Sequence, residues 1–153
     1  MAIGFGEMED ALAQALSALH IERGGPFKTL QTSLTYSVDD ALEASVSRPA
    51  PSCLVVMTDA QHSPLRPGNH WDSACSPVLV VAARSFRGRQ AAARGDTDRA
   101  GVYDLLDVTR QALLGRVLFG PQSGELQIRR ERLLVSSPDL VVWAQEWTVT
   151  IYH

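Results

Sequence analysis

The side chains best suited to chemistry gather in one polar segment. His62, His70, Asp72 and Cys75 are all possible metal ligands and fall within fourteen residues of one another. Structural zinc, however, is held by closed sets of nitrogen and sulfur donors at spacings such as C-x2-C or on a helix as H-E-x-x-H. This segment has neither spacing and mixes soft with hard donors. Cys75 and His70 are a thinkable nucleophile and base, yet five residues of separation in one segment does not by itself bring a thiol and an imidazole together. No G-x-S-x-G elbow is present. The early GFGEMED has neither a preceding strand nor the closing Lys-Ser/Thr of a phosphate loop. Most carboxylates sit at the starts of expected helices, where the helix dipole accounts for them. The expectation is a protein without metal, cofactor or catalytic residues. The competing reading is a small-molecule- or metal-binding enzyme domain that uses the 60–74 segment as a pocket lid.

A second concentration of chemistry is RSFRGRQAAARG, residues 84 to 95, where Arg84, Arg87, Arg89 and Arg94, with Arg99 beyond, face only Asp96 and Asp98. Two readings are open: a solvated loop whose arginines pair with nearby acids, or a loop that meets an acidic partner. Arginine is enriched at protein interfaces, and Phe86 lies among these residues. With Gly88 and Gly95 at its flanks the stretch reads as a projecting loop, which makes Arg87, Arg89 and Arg94 candidate subunit or partner contacts. Trp71, between His70 and Asp72, is a further candidate, as an exposed aromatic suits a partner's pocket; half-buried loop packing is the other reading. Aromatics are too sparse for a base-stacking platform.

The elements that must position these residues can be read from hydrophobic period. Ile3, Phe5, Met8, Leu12, Ala15, Leu16 and Leu19 form one helical face over 3–19, ended by Gly24, Gly25 and Pro26. Residues 27 to 35 suit a short strand. Ser37 and Asp40 fit a capping pattern that opens a brief helix through about Val46, with Val38, Ala41, Leu42 and Val46 inward. CLVVMT (53–58) and PVLVVAA (77–83) are nearly continuous apolar runs, as expected of strands covered on both faces. The polar connection between them is long for a hairpin, and such loops are often functional or mobile. A third helix is expected from about Asp98 to Leu114, with Val102, Leu105, Leu106, Thr109, Leu113 and Leu114 inward and Gly115 as its stop. Residues 125–135 and 139–152 read as strands joined by the SSPD turn. In the second, Val141, Trp143, Trp147, Val149 and Ile151 share a face that only Gln145 interrupts.

The order α-β-α-β-β-α-β-β points to an α/β (α+β) fold: a mixed, mostly antiparallel sheet packed by helices, with a long C-terminal β-hairpin. A chain of 153 residues with 45% hydrophobic and 20% charged residues is ordinary globular composition, and one domain over 1–153 is expected. Net charge is −3, so any attraction to nucleic acid or acidic membranes would have to be local. No apolar run approaches a membrane span, and the start has no signal-peptide pattern, so cytoplasmic synthesis is expected. Cys53 and Cys75 each open a strand-like run: a disulfide is possible if those strands are neighbours, while a reducing compartment argues for buried free thiols.

One family resembles this arrangement. EMEDALAQAL leads to PSCLVVMTD, then VLVVAARSFRGRQAAARG, GVYDLLDVTRQALLG and RRERLLV before the alternating final strand. In order and wording this looks like the small tail terminators of Mu-like phages and prophages, most strongly over residues 78–115. The 60–74 segment, with HSPLRPGNHWDS, does not align with the family pattern, so no role carries over to it. The resemblance implies a structural virion protein that assembles as a ring, a hexamer, on the last ring of the tail tube. Such a ring stops polymerisation of the tube, and of the sheath in contractile tails, and forms the surface that joins the head. The implied partners are other copies of the chain, the tube protein, sheath and neck or connector proteins. DNA would pass through the ring without sequence-specific binding, and no membrane is involved. The implied place is the virion tail, assembled in the host bacterial cytoplasm.

Overall fold

The computed structural model describes residues 4–32, 37–85, 87–95 and 101–153. Among these residues four α-helices and five strands follow in order: α1 (Phe5–Ala15), β1 (Thr29–Thr32), α2 (Val38–Ser47), β2 (Ser52–His62), β3 (Asp72–Arg84), α3 (Arg89–Arg94), α4 (Val102–Leu113), β4 (Gln127–Ser136) and β5 (Leu140–Tyr152). The five strands form one sheet in the order β1-β2-β3-β5-β4. Only β1 and β2 run parallel; β2–β3, β3–β5 and β4–β5 are antiparallel. The expected mixed, mostly antiparallel sheet with its C-terminal hairpin is thus present. Ile3, residues 33–36, Phe86, Asp96, Asp98 and Arg99 lie outside the described residues, and with them the end of the expected first strand and the expected start of the third helix.

Period-two alternation sends the strands' side chains to two faces, and each face has its own core. On one, Cys53, Val55, Leu79, Val81, Val141, Trp147 and Val149 meet Met8, Leu12 and Leu16 near α1, and Val102, Leu105, Leu106 and Leu113 of α4. On the other, Leu54, Val56, Val78, Val80, Ala82, Val142 and Ala144 pack under Ala41 of α2. The middle of β2 and β3 is covered on both sides, which is why these stretches read as unbroken apolar runs. Each fully buried leucine or valine here contributes about 1.5–3 kcal/mol relative to exposure.

Several boundaries differ from the sequence reading. The expected helix 3–19 ends at Ala15 and continues as a 3-10 turn over Ser17–Leu19, and Phe5 is half exposed. Val46 and Leu114, expected inward, face solvent, and Ser45 takes the buried place on α2. The Ser37 cap is as expected, its hydroxyl accepting from the Asp40 amide at 3.2 Å. The largest correction concerns residues 60–74. The strands run on to His62 and restart at Asp72, so the connection is a closed hairpin tip, not a long loop. Arg66 and His70 exchange backbone hydrogen bonds at 2.7 and 3.3 Å around Pro67-Gly68-Asn69. Gly68 and Asn69 both have positive φ there, a turn that residues tolerant of left-handed backbone allow. A second correction concerns Arg89 to Arg94. They form α3, not a projecting loop, and Ala92 of that helix is buried.

Candidate functional site

The two sequence candidates end in different places, and the 62–75 group comes first. His62 ends β2, and Ser73 opposite it on β3 is buried. The Ser73 hydroxyl lies 2.7 Å from His62 Nδ1 and 2.8 Å from His153 Nε2, bridging two imidazoles. Trp71 stacks on His153 with ring centroids 3.7 Å apart and meets His62 edge-on at 5.2 Å. Trp71 and His153 also pair through their backbones, the His153 amide donating to the Trp71 carbonyl at 2.8 Å. Trp71 is therefore half-buried packing that ties the hairpin tip to the end of β5, the second of its two readings. With Phe5, Met8 and Cys75 these residues line a cleft of about 230 Å³.

The chemistry of that cleft is subdued. Burial, with Asp59 nearby, pushes the Cys75 thiol up from its ordinary range, which keeps it protonated and a poor nucleophile at neutral pH. Cys53 is wholly buried and its thiol is pushed up to about 12 by burial. The two cysteines are free: β2 and β3 are neighbours, but the register sets Cys53 opposite Val81 and Cys75 opposite Ala60. His70 lies away from His62 at the exposed tip, its ring nitrogen 3.4 Å from the His153 carbonyl. Asp72 pairs with Arg66 at 2.7 Å. His62 and Cys75 line the cleft while His70 and Asp72 make other contacts, and among the described residues no group of three His, Cys, Asp or Glu is placed to hold a metal ion.

The basic stretch is divided by the fold. Arg84 at the end of β3 bonds Asp139 in the β4–β5 turn at 2.7 Å and clamps the hairpin. Arg87 is exposed and has a partner. Arg89 and Arg94 are exposed on α3 and have no ion-pair partner among the described residues. They border a cleft of about 430 Å³ between α3, the start of α4 and the β4–β5 hairpin. Tyr103 and Leu133 in its wall are about half exposed, and Tyr103 meets Trp143 edge-on at 6.0 Å. The Trp143 Nε1 donor is buried there without a partner among the described residues.

Beneath this cleft lies a polar cluster that explains the interruption at Gln145. Its side chain is fully buried. Its Oε1 accepts from Thr109 Oγ1 at 2.8 Å and Trp147 Nε1 at 2.9 Å, while its Nε2 donates to the Leu106 carbonyl at 3.1 Å and to Glu131 at 2.8 Å. Arg110 of α4 reaches both Glu131 and Asp107, and the hydrogen bond to Asp107 first, then Glu131, holds its guanidinium above the ordinary range. The cluster fixes α4 on the hairpin, and so fixes the wall of the cleft.

Comparison with known proteins supplies what this geometry lacks. The sequence matches the protein family described as Bacteriophage Mu, Gp37 over residues 6–152. The chain belongs to that family. Among curated proteins nothing matches it. Membership of the Mu Gp37 family agrees with the resemblance to a Mu-like phage protein, and the match takes in the whole described sheet and the cleft at Arg89 and Arg94. No helix among the described residues is long and apolar enough to cross a membrane.

Proposed function

We propose that this Mu Gp37 family protein is a tail terminator: a structural virion protein, not an enzyme, that assembles as a ring on the finished tail tube. In that role it ends polymerisation of the tube, and of the sheath where one exists, and presents the surface to which the head and its neck proteins attach. The observation that carries this reading is the family match over nearly the entire chain. Two physical features favour it. Strand β4 ends the sheet, and among the described residues its outer edge has no strand partner. Arg129, Arg130 and Arg132 on this strand discourage chance strand pairing and favour a partner that brings acidic groups. The cleft beside it combines exposed arginines with half-exposed aromatic and aliphatic groups, the composition of a protein contact. The partners are further copies of the chain, six in the ring, with tube, sheath and neck proteins above and below. A net charge of −3 suits a ring that lets DNA pass without holding it.

Tail length tests the reading directly. In a phage lacking this gene, tubes are expected to overrun their normal length and fail to join heads, and supplying the wild-type protein should restore both. Tails of normal length joined to heads in its absence would overturn the assignment.

A further inference from the structure

We infer that the cleft at Arg89 and Arg94 receives the acidic first turns of α1 from a second copy of this chain. The inference rests on the ring reading above and assigns its subunit contact.

The cleft is incomplete by two independent signs. The guanidiniums of Arg89 and Arg94 are exposed and unpaired among the described residues. Leu133 and Tyr103 leave about half of their surface in solvent, with relative exposures of 50% and 45%. A fitting occupant must therefore bring carboxylates and an apolar group.

The same chain offers that combination at its other side. Phe5, at the start of α1, is 52% exposed, and Glu7 and Asp10 project from the same turns with no ion-pair partner among the described residues. Asp59 on the neighbouring part of β2 is also exposed and adds to the negative field. α1 is fixed there from beneath, since Glu9 Oε1 accepts from the Met57 amide at 3.3 Å where β2 bulges. The donor patch is thus a held surface, and little ordering cost is added on contact.

Position decides between the two ways of pairing identical chains. The first turns of α1 lie beside the His62 end of β2 and the Ile151 end of β5, whereas the cleft lies over β4 and the Val141–Trp143 end of β5, at the opposite end of these long strands. A two-fold dimer needs one self-complementary patch. Two different, mutually complementary patches on opposite sides give a head-to-tail contact, which closes into a ring when the rotation permits. The charges match in sign: two guanidiniums on one side, Glu7, Asp10 and Asp59 on the other. Arginine–carboxylate pairs shielded by a neighbouring aromatic are the strong kind, because both charge and hydrogen-bond geometry are used.

Charge reversal tests the contact without disturbing the core. Prepare Arg89→Glu with Arg94→Glu in one protein and Glu7→Lys with Asp10→Lys in another, check each by its melting curve, and measure native mass alone and mixed. Each protein alone is expected to fall to single-chain mass, with at least a hundredfold loss in assembly. An equimolar mixture is expected to regain the ring with the two proteins alternating, because each then meets only its complement. Full rings from either folded variant alone would overturn the contact and leave the ring reading intact. So would a mixture that stays dissociated, or variants that keep their rings and lose only the tube. A wild-type chain that stays single at every concentration would instead sink the ring itself, and this contact with it. Cysteines at Glu7 and Arg94 should then cross-link neighbouring copies under oxidation; rings that form without any cross-link would also count against the contact.

Discussion

Replacing Gln145 with Leu tests whether the polar cluster under the hairpin holds the fold or is merely tolerated by it. The change keeps the approximate volume and removes one acceptor and two donors. Trp147 Nε1, wholly buried, loses the acceptor it has at 2.9 Å. Glu131 loses a donor at 2.8 Å and keeps Arg110. Thr109 loses Gln145 but retains the Leu106 carbonyl at 2.9 Å. The dominant loss is therefore one orphaned indole donor, about 1–3 kcal/mol, with a smaller contribution from the charged Glu131. Greater burial of the apolar leucine offsets part of it, which leaves a destabilisation of about 2 kcal/mol. For a chain of this size that is a fall in melting temperature of about 4–8 °C. Denaturant unfolding followed by tryptophan fluorescence reads it. Thr109→Val should cost about 1 kcal/mol, and the double variant should cost less than the two added, since both act on one Oε1. A Gln145→Leu protein as stable as wild type would refute the reasoning: the site would then prefer an apolar side chain, and the hydrogen bonds would add nothing net.

Two further outcomes follow from burial. Val149 is 2% exposed on the face shared with Trp147, so Val149→Asp should destabilise by about 3–5 kcal/mol by burying an unpaired carboxylate; melting within a few degrees of wild type would show that face to be open. Because burial raises the Cys53 thiol to about 12 from an ordinary value of 9.0, the unfolded chain loses that proton first as pH rises. Stability should fall by up to about 1.4 kcal/mol per pH unit between those values. Comparing wild type with Cys53→Ala isolates the slope: parallel stability curves above pH 9 would mean that the thiol ionises equally in both states.

Much of the fold was legible because its signals are local. The apolar runs at Cys53–Met57 and Val78–Ala83, the alternation from Val141 to Ile151, the Ser37 cap and the SSPD turn each report through neighbours a few residues away. The misread parts are those where local and tertiary signals conflict. Thr58, Asp59 and Gln61 are exposed on a strand that projects past the core, so a polar stretch looked like loop. Arginines and flanking glycines drew attention from the Ala91-Ala92-Ala93 run, whose high helix propensity was the available sign of α3. The gap at Gln145 was visible, but its partners come from Leu106, Thr109 and Glu131, far away in sequence. The second cleft was hidden for the same reason. Arg89 and Arg94 could be singled out by composition, while Tyr103, Leu133 and Trp143 join them only once α4 and the hairpin are docked.

The strand order also sets a timetable for the chain. β3, with its unbroken Val78–Ala83 run, pairs with β2 through a closed hairpin and on its other edge with β5, where Val80 stands opposite Ala144. During synthesis the β2–β3 hairpin emerges long before β5, and until β5 arrives its inner strand shows an unpaired apolar edge. β5 must then enter between β3 and β4 so that β4 becomes the new border, carrying Arg129, Arg130 and Arg132. Charged residues on a border strand discourage pairing with stray strands, which the Val78–Ala83 edge does nothing to prevent. The nascent chain is therefore most prone to aggregate after β3 and before β5, and is protected once the arginine-bearing strand closes the sheet.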